Sequence, residues 1–251
     1  MAGITIMTES GKAMGHHIIK HTDTCKVPAI KICGLTSAEE ARWCLEERVN
    51  YAGMVVFYPK SKRNLEIEQA KELLAVLHQG HSQAAPHRYI GQETDSEAIL
   101  AVAVTVSPSP EQVKAIQEAG FDRIQVHGAL SGESFDAIRI PMIRAFNGMD
   151  KELYEEFHNC PKVEAYLFDA KIPGSGETFD WNILQNLPRD EKPFFLAGGL
   201  TPDNVEAAIR TVQPDVVDVS SGVELSPGLV GKDREKIRAF VYRVRCGDSR
   251  L

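Results

Sequence analysis

VEAYLFDAKIPGSGETFDW, residues 163–181, is the stretch on which the reading of the fold turns. It opens with an apolar run, Val163 to Phe168, broken only by Glu164, and the run ends in an acid, Asp169. A loop follows with two glycines around a serine, Gly174-Ser175-Gly176, and Phe179-Asp180-Trp181 then starts a short amphipathic helical pattern. Strand, carboxylate, bare loop and helix make one βα unit. Parallel barrels build one side of an active site from such a unit, because the C-terminal ends of their strands converge on a single face.

The same rhythm continues in both directions. Short apolar runs at 28–33, 51–57, 100–106, 121–126 and 138–145 precede it, and runs at 193–196 and 215–219 follow. Helical patterns at 65–78, 110–119, 131–137, 150–158, 180–185, 201–211 and 232–242 alternate with them. Another helix follows the first run, where Ser37 and Glu40 have the spacing of a capping box. Pro141 is awkward inside a central strand, and the polar stretch 79–94 interrupts the pattern, with 92–99 offering an extra helical turn. Eight strands and eight helices predict an α/β fold, a single-domain (β/α)8 TIM barrel over residues 28–251. The length of 251 residues agrees, since such barrels run to about 250 residues. Residues 1–27 stand outside the pattern as a flexible or edge-packed extension. Their His16, His17, His21 and Cys25 fit no closed metal site.

A net charge of −7 argues against a general nucleic-acid or anionic-membrane binder, which needs a basic face. Cysteines at 25, 33, 44, 160 and 246 are odd in number and form no CxxC pair. Reduced thiols in a cytoplasmic protein are the expectation. No run has the length of a membrane span, and the N-terminal residues lack the pattern of a secretory signal.

At the predicted strand ends stand Cys33-Gly34, Ser107, Gln125-Val126-His127-Gly128, Asp169, Ala197-Gly198-Gly199 and Ser220-Ser221-Gly222. Glycines let backbone N–H groups approach an anion, and serines add hydroxyl donors. Taken with Gly174-Ser175-Gly176, the pairs Gly198-Gly199 and Ser220-Ser221-Gly222 read as a phosphate site, although tight-turn glycines explain either pair alone. A lone cysteine is usually a small buried residue. Cys33, ending a strand with Lys31 just before it, is placed to act as a base if cations lower its pKa. His127 has three open readings: base, phosphate donor or structural hydrogen-bonder. Asp218 alternates with Val217 and Val219, and reads as a satisfied structural carboxylate inside the barrel.

These stretches resemble the phosphoribosylanthranilate isomerase family of tryptophan biosynthesis. The resemblance runs through KICGL (31–35), GMVVFYPKSKR (53–63), QVHG (125–128), FDAKIPGSGETFDW (168–181), FFLAGGLTPDNVEAAI (194–209), VDVSSGVE (217–224) and PGLVGKD (227–233). It implies an Amadori rearrangement of N-(5-phosphoribosyl)anthranilate to 1-(2-carboxyphenylamino)-1-deoxyribulose 5-phosphate, with no cofactor and no metal. It further implies Cys33 as general base, Asp169 as general acid, and Arg63 as the residue that holds the anthranilate carboxylate. Gln125 and His127 are expected to contact the substrate. The phosphate falls to Gly174, Ser175, Gly176, Gly198, Gly199, Ser220, Ser221 and Gly222. The partner is a phosphorylated small molecule, and the protein is expected as a monomer or homodimer. The third strand, VAVTVS, departs from the family pattern near Thr105 and Ser107.

Two related phosphate-binding barrels and one other class compete. Indole-glycerol-phosphate synthase would place lysines where Cys33 and Ser107 stand, and ribulose-phosphate epimerase needs more metal ligands than His127 and Asp169. A non-catalytic barrel that senses a sugar phosphate has no need of Cys33 and Asp169 together.

Overall fold

Strand β1 (Ala29–Cys33) pairs in parallel on both sides, with β2 (Tyr51–Val56) and with the last strand, β9 (Val216–Val219), and so closes the sheet on itself. The computed structural model describes residues 27–79, 98–147, 150–169, 181, 184, 189–226 and 229–247. Between β2 and β9 the order is β4 (Leu100–Val106), β5 (Arg123–His127), β6 (Met142–Asn147), β7 (Val163–Asp169) and β8 (Phe194–Leu196). Eight parallel strands thus complete the barrel, and a two-residue strand, β3 (Asn64–Leu65), extends the end of β2. The helices between them are α1 (Ala38–Glu46), α2 (Ile67–Leu77), α3 (Pro110–Ala119), α4 (Gly132–Ala137), α5 (Lys151–Phe157), α6 (Val205–Val212) and α7 (Arg234–Cys246).

Side-chain alternation divides the strands into two cores. Cys33, Tyr51, Val102, Val104, Ile143, Ala145, Ala165, Leu167, Phe195 and Ala197 fill the barrel interior. Ile30, Ile32, Met54, Val56, Ile124, Phe146, Tyr166 and Phe168 face the helices. With both faces covered, the strands read as continuous apolar runs, which is why composition alone located them. At the end opposite the site, Tyr51 meets Phe195 edge-on at 5.3 Å, and Arg123 forms an ion pair with Glu164 at 2.6 Å.

Several boundaries differ from expectation, each for a local reason. The fifth strand starts at Met142, and Pro141 precedes it and offers only its carbonyl, to the N–H of Ile124. The second helix starts at Ile67 because Asn64 and Leu65 pair with β2. Helix α6 begins at Val205, since the Asn204 side chain accepts from the Thr201 N–H and donates to the Gly199 carbonyl, bracing the preceding turn. Ser37 caps α1, accepting from the Glu40 N–H, but the Glu40 carboxylate accepts from Thr36 N and Lys232 N instead of closing a capping box. The predicted helix at 180–185 lies outside the described residues except for Trp181 and Leu184. So do residues 1–26 and most of the stretch 79–94. No described helix is long and apolar enough to cross a membrane.

Candidate active site

Alternation along β1 puts Lys31 and Cys33 on the interior face, and along β7 it puts Asp169 there with Ala165 and Leu167. Cys33 and Asp169 therefore end their strands facing the barrel mouth, with β9 and β8 between them around the wall. Below Cys33, Lys31 is wholly buried and donates to Asp218 Oδ2 at 2.7 Å. Burial pushes the Cys33 thiol up, while the Lys31 and Lys232 ammonium groups oppose that rise. Burial works against the charge on Lys31 too, but Asp218 and the thiol outweigh it and hold the ammonium above its ordinary value. Asp218 is buried inside the barrel as its alternation predicted, with Oδ2 on Lys31 and Oδ1 without a hydrogen-bond partner among the described residues.

Gln125 and His127 share the interior face of β5, and their side-chain nitrogens lie 2.7 Å apart. Burial, with Lys31 and Arg144 adding to it, brings the imidazole down to about 3. Burial thus keeps the ring neutral at physiological pH and makes it a weak proton acceptor, which tells against the reading of His127 as a base. With the Gln125 amide donating to Nε2, the ring proton sits on Nδ1, and Nδ1 has no hydrogen-bond partner among the described residues. Gln125 itself is only 2% exposed, a layer below the rim.

Arg63 follows β2 and lies against β1. A Cβ built on Gly34, whose φ is +77°, would sit 2.5 Å from Arg63 Cδ, so only glycine leaves room for the arginine stem. Arg63 Nε donates to Glu224, a carboxylate that also takes Lys62 Nζ at 2.8 Å and Lys232 Nζ at 3.4 Å. Burial opposes the charge on Glu224, but the hydrogen bonds from Arg63 and Lys62, with Lys232 nearby, bring it down to about 2. Sequence reasoning assigned nothing to Glu224 or Lys232. Their positions in VDVSSGVE and PGLVGKD were the available signal, but their partners lie far away in sequence.

The two described glycine clusters meet. A Cβ on Gly222 would fall 2.0 Å from the Leu200 carbonyl oxygen, so the turn Ser221–Val223 packs directly on the loop that carries Gly198 and Gly199. Gly198 and Gly199 have φ of +87° and +64°, the left-handed region that glycine enters without strain. The Ser220 hydroxyl is already engaged. It donates to the Cys33 carbonyl at 2.9 Å and accepts from Lys232 Nζ at 3.3 Å, tying β9 to β1. Gly174, Ser175 and Gly176 lie outside the described residues.

A closed (β/α)8 barrel with a thiol and a carboxylate at its C-terminal mouth, beside paired glycine turns, defines the class as a barrel enzyme equipped for acid–base chemistry. The family model for N-(5'-phosphoribosyl)anthranilate isomerase matches residues 30–243. The N-(5'-phosphoribosyl)anthranilate isomerase of Streptococcus mutans is 38% identical over 217 residues, 86% of this chain and 98% of its own. The crystal structure of phosphoribosyl anthranilate isomerase from Thermotoga maritima superposes with a TM-score of 0.70 at 32% identity, covering 87% of this chain and 98% of that one. Another such isomerase, solved in complex with reduced 1-(o-carboxyphenylamino)-1-deoxyribulose 5-phosphate, has a TM-score of 0.67 at 29% identity and covers 87% and 98%. The chain belongs to the N-(5'-phosphoribosyl)anthranilate isomerase family and is an isomerase of tryptophan biosynthesis.

Proposed function

We propose that Cys33 and Asp169 carry the Amadori rearrangement of N-(5-phosphoribosyl)anthranilate to 1-(2-carboxyphenylamino)-1-deoxyribulose 5-phosphate, as base and acid. The observation that supports this division is their placement at the ends of β1 and β7, on the interior face of one barrel mouth. Asp169, protonated, donates to the furanose ring oxygen. The C1–oxygen bond breaks, and the anilino nitrogen lone pair forms an iminium at C1. The Cys33 thiolate then takes the C2 proton, and the C–H electrons form the C1–C2 double bond as the iminium collapses to an enolamine. Tautomerisation gives the ketone.

Arg63, whose Nε is held by Glu224, turns its terminal amino groups to the anthranilate carboxylate, a match for the planar fork of guanidinium. His127 offers a neutral Nδ1–H donor to the substrate, and Gln125 acts through the imidazole that it orients. Backbone N–H groups at Gly198, Gly199, Ser221 and Gly222 take the phosphate, with Ser220 holding their turn against β1. Gly174, Ser175 and Gly176 complete that site.

Steady-state kinetics of Cys33→Ser and Asp169→Asn test the division. Each should lower kcat by roughly 100- to 10,000-fold, the usual effect of removing a general acid or base. Full activity in either variant would contradict it.

A further inference from the structure

We propose that Lys31, aimed by Asp218, is the residue that lets Cys33 ionise inside the barrel, and is thus a positioning residue for proton abstraction. The proposal rests on the reading of Cys33 as the base. Its geometry has three parts. Lys31 and Cys33 are two apart on β1 and share its interior face. Asp218 stands level with Lys31 on the neighbouring strand and fixes its ammonium at 2.7 Å. On the other side, Gly53 of β2 has no side chain, and both groups pack into the space this leaves. A Cβ there would sit 3.0 Å from Cys33 Sγ and 3.2 Å from Lys31 Nζ.

A buried ion pair is a poor device for stability alone, because desolvation cancels most of its attraction. Here the pair stands directly beneath a thiol that burial would otherwise hold protonated. An ammonium in a water-poor interior acts on that thiol with little screening. Other charges facing Cys33 are Asp218 from β9, which opposes ionisation, and Lys232 from the segment before α7, which favours it. Arg63 lies against Gly34, Asp169 faces the same mouth from β7, and His127 on β5 is neutral. Of the two favouring cations, Lys31 acts more strongly on the thiol and alone hydrogen-bonds to it. Its ammonium stabilises the thiolate without taking its place as the base.

Sign distinguishes this from a structural role. Lys31→Met removes the favouring charge, whereas Asp218→Asn keeps an oxygen for Lys31 and removes the opposing one. The pH dependence of iodoacetamide alkylation, read on the Cys33 peptide by mass spectrometry, should shift up by roughly one to three pH units in Lys31→Met. It should shift down in Asp218→Asn. Lys31→Arg should restore part of the loss, and Gly53→Ala, whose methyl crowds and further desolvates the thiol and the ammonium, should move the midpoint in the direction of Lys31→Met. The ascending limb of kcat/KM against pH should follow in each variant. Should Lys31→Met fail to fold, Asp218→Asn and Gly53→Ala still give opposite signs.

An alkylation midpoint that stays put while kcat falls would overturn the proposal. So would shifts of the same sign in Asp218→Asn and Gly53→Ala. A midpoint that moves while the activity limb does not would uphold the field on Cys33 and overturn its role as base.

Discussion

At the residue scale, Arg63 is the sharpest case of a side chain whose task depends on what holds it. Glu224 fixes Nε and the bare face of Gly34 receives the stem, so the guanidinium is oriented before any ligand arrives. Arg63→Ala should raise KM roughly 10- to 100-fold, the worth of hydrogen bonds to a charged group, while kcat changes little. An unchanged KM measured at saturating and limiting substrate would contradict the assignment. Glu224 predicts a pH effect of definite sign. Its carboxyl lies near 4.5 when unfolded and about 2 when folded, so its stabilisation is present above pH 4.5 and is lost as pH falls toward 2. The drop from 4.5 to about 2 converts to roughly 3.5 kcal/mol at about 1.4 kcal/mol per pKa unit. Solvent screening at this part-open site reduces it, so Glu224→Gln should cost roughly 2 kcal/mol in urea unfolding at neutral pH. Its deficit relative to the parent should close through the acid window. A deficit that stays constant with pH would show that Glu224 acts by shape and not by charge.

At the element scale, the strands and helices that sequence predicted are those with strong local causes. Pro110–Ala119 was readable in full because Ser109, Pro110 and Gln112 supply a complete N-terminal signal and Gly120, at φ of +94°, ends the helix. Cys33 and Asp169 were readable because each terminates an apolar run, and in a parallel barrel run ends become neighbours. What local pattern could not reveal came from contacts distant in sequence. Lys232 takes Glu40 away from its capping box, and its ammonium bonds Ser220. The spacing of Ser37 and Glu40 carries no trace of Lys232. At Gly222 the Leu200 carbonyl forbids a side chain, a packing reason for glycine that local sequence does not show and that stands beside its expected place at the phosphate. The Ser220 hydroxyl, expected at the phosphate, joins β9 to β1. Burial also tells against one of the three readings of His127 that sequence left open, that of a base, since the charge on a ring so enclosed is penalised.

On the scale of the whole molecule, the barrel has a face for chemistry and a face for stability. Arg123 and Glu164 belong to the second, opposite the mouth, where Arg123 is 2% exposed. Glu164→Ala removes the carboxylate paired with that buried guanidinium, and should cost about 3–5 kcal/mol of folding stability. At temperatures where the variant is folded, kcat/KM should stay at the parent value, and a large fall there would mean that the two faces are not separate. The mouth holds the central claim, that Asp169 and Cys33 act on different bonds in sequence. The most direct test is the deuterium isotope effect on turnover of substrate labelled at C2, compared in Cys33→Ser and Asp169→Asn. Slowing proton abstraction in Cys33→Ser should expose a large primary effect, and slowing ring opening in Asp169→Asn should suppress it. Equal effects in the two variants, or the reverse order, would contradict the assignment of base to Cys33 and acid to Asp169.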